Sequence, residues 1–183
     1  PFVFLGGKMS ASAARPWVVS HQLFNYGLSL DGMYEAERIT FVPDPFLFTT
    51  RRFTGPRPVD AIELARRIRS DPSLEATAPV DVTIGGATGL SMDVTLAPEA
   101  SVYRDEDGRT PVLHSADAHP YPTPRGWGAL IDPDTRMRIY VVDLPEGSAD
   151  RMMAIAIGAP KSSFENVVEA AAPVLDSITF HAP

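Results

Sequence analysis

Residues 79–96 read PVDVTIGGATGLSMDVTL. Val80, Val82 and Ile84 alternate with Asp81 and Thr83, and Leu90, Met92, Val94 and Leu96 alternate with Ser91, Asp93 and Thr95. Alternation of period two on both arms, with Gly85-Gly86 between them, predicts a β-hairpin. Burying each such apolar side chain is worth about 1.5–3 kcal/mol, so one face of the hairpin is expected to be covered. The other face is expected to meet water and to carry Asp81 and Asp93 together. Two carboxylates on one sheet face suit an acid/base pair or a metal site. No third ligand or histidine accompanies them in sequence, so a scaffold is the better reading. Gly89 predicts a bulge or a close backbone approach.

The preceding segment, GPRPVDAIELARRIRSDPSL (55–74), predicts a helix. Pro58 suits its first turn, where a missing N–H costs nothing. Val59, Ile62, Ala65 and Ile68, with Leu64 alongside, predict a one-sided apolar stripe. Asp60 and Glu63 lie toward the positive end of the helix, and Arg66, Arg67 and Arg69 toward the negative end. The arginines read as a solvated face matched to the dipole, with an anion site as the alternative. Asp71-Pro72 ends the helix.

Beyond the hairpin, 98–128 is polar and irregular. DEDG (105–108) has the carboxylate density of a calcium loop without its spacing, and reads as a turn. His114 and His119 lie in this Pro-rich stretch, but zinc needs further ligands that the sequence does not offer. Tyr121 and Trp127 flank PTPRG. Aromatics on such a loop line a binding groove or cover a core edge. Tyr121, Trp127, His114 and His119 are therefore the candidate ligand- or partner-binding residues.

Regular structure resumes at WGALI (127–131), with a turn at DPDT (132–135). MRIYVVDL (137–144) is apolar on both faces and predicts a central strand covered on both sides. PEGSAD turns the chain into RMMAIAIGAP, a second strand. Ser162 or Ser163 suits the N-cap of a helix over SFENVVEAAAPVLDS. Phe164, Val167, Val168 and Ala171 form its inner face, and Pro173 is expected to kink or divide it. SITF (177–180) reads as a closing strand.

Upstream, PFVFLGG reads as a first strand or as the remnant of a removed signal or anchor. SASAA suits a linker, which makes 1–16 a linker-like approach to a single domain over 1–183. WVV and LFNYGLSL are β-prone, with a turn at Asp31-Gly32. ERITFVPDPFLFTTRRF is broken at PDP (43–45) into two short strands, or one strand interrupted at a sheet edge.

The 183 residues, 44% hydrophobic and 21% charged, suit one globular domain without disulfide staples. A net charge of -7, with Lys8 and Lys161 the only lysines, makes nucleic acid a poor partner. The absence of cysteine excludes disulfides, thiol chemistry and Cys-based zinc sites. No apolar run reaches the length of a membrane span. No phosphate loop, Ser/His/Asp set or dinucleotide fingerprint occurs; IGGATG lies inside a hairpin rather than before a helix. No cofactor or metal is expected.

The succession of the 55–96 segment, MRIYVVDLPEGSADRMMAIAIGAP and FENVVEAAAPVLDSITF resembles an actinobacterial group of exported or membrane-attached domains of unknown role. That group shares a helix, a P-DVT-GG hairpin, a strand pair and a last helix ending in DSI-F. The likeness spans 56–96 and 126–180, and its motifs are structural. The layout also resembles the wider Mog1/PsbP-type α/β sandwich, whose members mostly bind other proteins. It implies an α+β fold: a curved, mainly antiparallel sheet with two principal helices packed on it. The group often carries cysteines in the central loop, where this chain has none.

Three functional readings follow. The leading one is a non-catalytic extracytoplasmic binding or sensing module whose partner is another protein or a small ligand, with a membrane tether upstream. The second is a small hydrolase or lyase using His114, His119 or His21 with an aspartate; the alternative to an envelope location for the chain is the cytoplasm. The third is a structural domain that pairs with another copy through PFVFLGG or an open sheet edge.

Overall fold

A computed structural model describes residues 2–4, 9–12, 17–22, 25–30, 37–49, 57–98, 100–102, 104, 108–115, 128–148 and 150–181. The strands are β1 (Phe2–Phe4), β2 (Met9–Ala11), β3 (Trp17–Gln22), β4 (Asn25–Leu30), β5 (Arg38–Pro43), β6 (Pro45–Leu47), β7 (Leu74–Ala76) and β8 (Val80–Ile84). They continue with β9 (Ala87–Leu96), β10 (Thr110–Ser115), β11 (Gly128–Ile131), β12 (Thr135–Asp143), β13 (Met152–Pro160) and β14 (Thr179–Phe180). Helix α1 spans Ala61–Ser70 and α2 spans Phe164–Asp176.

Among the described residues, an eight-stranded antiparallel sheet runs β3-β4-β5-β13-β12-β9-β7, with β8 also on β9. Two three-stranded sheets, β11-β10-β6 and β1-β2-β14, complete the α+β architecture expected from the sequence. The large sheet is covered on both faces. One core joins Ile39, Phe41, Ile155 and Ile157 to Phe164, Val167 and Ala171 of α2 and to Met9 and Ala11 of β2. The other joins Met92, Val94, Met137, Ile139 and Val141 to Leu64, Ala65 and Ile68 of α1 and to Val112, Leu113 and Ile131 of the second sheet. The central strand expected over 137–144 is β12, flanked by β13 and β9.

The β8–β9 hairpin turns at Gly85 (φ 56°) and Gly86 (φ 81°), the left-handed pair that a two-residue turn needs. Its register corrects the expected faces. Ile84 pairs with Ala87 and Val80 with Ser91, while Asp81 pairs with Leu90. Directly paired residues share a face, so Val80, Val82 and Ile84 lie on the side of Asp93, and Leu90, Met92 and Val94 lie on the side of Asp81. Asp81 and Asp93 therefore stand on opposite faces and form no pair. The expectation at Gly89 is met by close approach: a Cβ there would lie 1.9 Å from the Val141 carbonyl oxygen.

α1 begins later than the expected start. Asp60 is its N-cap and accepts a 2.7 Å hydrogen bond from the Glu63 N–H, so Pro58 lies before the helix. The buried stripe is Ala61, Leu64, Ala65 and Ile68, whereas Val59 and Ile62 are exposed. A strict spacing of three drifts off a 3.6-residue turn, and that drift accounts for Ile62.

The PDP break is a corner. β5 belongs to the large sheet and β6 to the second one. Asp44 adopts φ 40°, and its carboxylate accepts the N–H groups of Arg151 (2.8 Å) and Met152 (3.2 Å). α2 passes through Pro173 undivided. Ser163 holds the cap position, but its hydroxyl donates to Glu37 Oε1 at 2.6 Å and makes no cap hydrogen bond. Within the stretch expected to be linker-like, Phe2–Phe4 and Met9–Ala11 are strands, and β14 pairs with β2.

Candidate functional site

Of the candidate binding residues, only His114 falls on a described element, strand β10. His119, Tyr121 and Trp127 lie outside the described residues. The strands on either side are well defined: His114 pairs with Gly128 across β10–β11 and with Phe46 across β10–β6. Segment 116–127 thus leaves and re-enters two neighbouring strands. Gly128 is a steric requirement, because a Cβ there would lie 1.6 Å from the Leu113 carbonyl oxygen. The glycine of RGWG was the sequence signal for this contact.

His114 is a strand residue, not a loop residue as expected, and is only 5% exposed. Its ring stacks on Phe46 at a centroid distance of 5.3 Å and tilts against Phe48 at 5.6 Å. Nδ1 lies 3.1 Å from the Ser115 carbonyl, placed to donate to it. Burial pushes its pKa below the ordinary histidine value, against the opposing pull of the Ser115 hydrogen bond. The neutral imidazole acts here as a flat aromatic filler at the root of the loop. Among the other histidines, His21 sits on β3 opposite Tyr26, and His181 Nε2 lies 2.9 Å from Ser10 Oγ.

A second cluster was not anticipated. Asp93 on β9 faces Arg138 directly across the β9–β12 ladder, and Arg136 is two residues away on β12. Arg138 donates to Asp93 through Nε (2.6 Å) and a terminal nitrogen (2.9 Å). Arg136 also donates to Asp93, and to Glu165 of α2 at 3.0 Å. The Arg136 guanidinium lies 4.5 Å from the centroid of the Phe164 ring. Burial pushes the Asp93 carboxyl upward, but the hydrogen bonds and charges of Arg138 and Arg136 outweigh it and hold the pKa below the usual range. Hydrogen bonding to Asp93 raises Arg138 further, against desolvation. Burial raises the Tyr140 hydroxyl. Two arginines spaced by two in an apolar strand were the legible signal, since a covered charge needs a partner. The cluster is charge-balanced and clamps α2 to the sheet.

Among the described residues, no three His, Cys, Asp or Glu gather to hold a metal ion. No helix there is long and apolar enough to cross a membrane.

No protein-family model and no curated protein matches the chain. Solved structures do. The crystal structure of LpqN, involved in cell envelope biogenesis of Mycobacterium tuberculosis, aligns with 96% of this chain and 83% of its own, at 12% identity and a TM-score of 0.52. The chain shares the LpqN fold. The solution structure of the cyanobacterial PsbP (CyanoP) from Synechocystis aligns with 95% of this chain and 93% of its own, at 8% identity and a TM-score of 0.46.

Proposed function

We propose that this chain is a non-catalytic binding module of the cell envelope that recognises a protein or small ligand through segment 116–127. The observation that carries this reading is the packing of the two strands that the segment joins in sequence. The strand residues on either side of the segment are closely packed, Gly128 by its backbone approach to Leu113 and His114 by its stack with Phe46 and Phe48. Well-packed flanking strands lower the ordering cost of recognition by a polar, aromatic-bearing segment. His119, Tyr121 and Trp127 are its contact residues, and His114 packs the strand that precedes them. The likeness of fold to LpqN, a protein of envelope biogenesis, supports the extracytoplasmic setting.

The test uses tryptophan fluorescence. The chain has two tryptophans, Trp17 and Trp127. In a Trp17→Phe background, Trp127 reports alone. Titration with solubilised envelope fractions is expected to give a saturable spectral shift, abolished when 117–126 is replaced by a Gly/Ser linker. A spectrum indifferent to the fractions, or a shift that survives the replacement, refutes the reading.

A further inference from the structure

The outer face of α1 and the residues before it turn an apolar and basic stripe to solvent. Val59 is 63% and Ile62 69% exposed. Ile62, Arg66 and Arg69 follow one another at i, i+4 and i+7, and so share one helix face over about 10 Å of axis. The Arg66 side chain is 67% exposed, and Arg57 and Arg69 are exposed as well. The nearby carboxylates have other tasks. Asp60 accepts the Glu63 N–H, and Asp71 accepts Thr49 Oγ1 and the Ser73 N–H. Glu63 accepts from the Val59 N–H and from Arg67, and lies 3.8 Å from Arg66. Matching the helix dipole accounts for the arginines in the last turn and gives no part to Ile62 and Val59 beside them.

We infer that this face rests on an anionic phospholipid surface, with Arg66 and Arg69 against headgroup phosphates and Ile62 and Val59 at the acyl boundary. Charge complementarity selects this occupant. The chain as a whole carries -7, so an anionic bilayer repels most of the molecule and attracts this basic stripe, which orients the protein. A flat surface also suits side chains projecting from a convex helix whose own apolar face is taken up by the core. Two arginines and two aliphatic side chains give weak, reversible contact, an orienting device rather than an anchor. This inference is independent of the loop reading, and either can fail alone.

Flotation of the chain with vesicles tests it. Binding is expected with phosphatidylcholine vesicles containing a third phosphatidylglycerol, but not with pure phosphatidylcholine, and is lost at high salt. Arg66→Ala/Arg69→Ala is expected to lower the partition coefficient about 25-fold, from about fivefold for each arginine near an anionic surface. Ile62→Ser is expected to weaken binding while leaving the thermal melt unchanged. Equal binding to neutral vesicles, or an undiminished double variant, overturns the inference. So does soluble polyglutamate binding the stripe with no dependence on Ile62, which would assign it to an acidic peptide instead.

Discussion

Replacing Asp93 with asparagine keeps the shape of the side chain and removes the central charge of the clamp between the sheet and α2. Asp93 is 8% exposed and takes three hydrogen bonds from Arg136 and Arg138. Removing one partner of a fully buried ion pair costs about 3–5 kcal/mol, because the remaining charge is left unpaired. The arginines here keep 34% and 25% of their side-chain surface, and Glu165 stays within reach, so solvent screening lowers the expected loss to about 2–3 kcal/mol. For a chain of this size that loss lowers Tm by about 5–10 °C. Chemical unfolding followed by circular dichroism should show a lower midpoint at pH 7 with an unchanged slope. The pH dependence has a definite sign. The folded Asp93 pKa lies below its unfolded value near ~3.9, so its stabilisation is complete above that value and disappears as pH falls through the lower, folded one. The difference between wild type and Asp93→Asn should therefore shrink as the pH falls below about 4. An asparagine variant as stable as wild type at pH 7, or a difference that persists unchanged into acid, would refute this account of the clamp.

Asp44→Ala should cost about 2–4 kcal/mol in chemical unfolding, because it loses both the left-handed tolerance and two accepted hydrogen bonds, whereas Asp44→Asn should cost about 1 kcal/mol. Gly89→Ala should abolish soluble expression through its 1.9 Å collision with the Val141 carbonyl. Gly86→Ala, which has open space but φ 81°, should cost only about 1 kcal/mol by the same unfolding assay. His114→Phe should flatten the acid side of the stability profile. The folded His114 pKa is depressed, so its contribution is present above the unfolded value near ~6.5 and lost as pH falls toward the folded one. Melts at pH 7 and pH 5 should show a smaller drop for the variant than for wild type, and an equal drop would count against the buried neutral imidazole.

Local pattern alone was enough to reveal the β8–β9 hairpin, the β12–β13 pair, both helices and the closing strand. Each announces itself by period or by a turn residue within about a dozen positions. The corner at Asp44 was half legible, since Pro43 and Pro45 marked a break but not a change of sheet. The candidate loop could be located between strands, while the burial of His114 could not be read. Neither could its stack on Phe46 and Phe48, which lie more than sixty residues earlier in the chain.

What the amino-acid order settled by itself is which side chains alternate. What only the tertiary structure decided is which alternate set meets which layer. The two-residue turn at Gly85-Gly86 put Asp81 and Asp93 on opposite faces, and the β9–β12 register then gave Asp93 to Arg138 and Arg136. Alternation follows from the geometry of one strand, but facing follows from hydrogen-bond register between strands brought together from far apart, and a shift of one residue would reverse it.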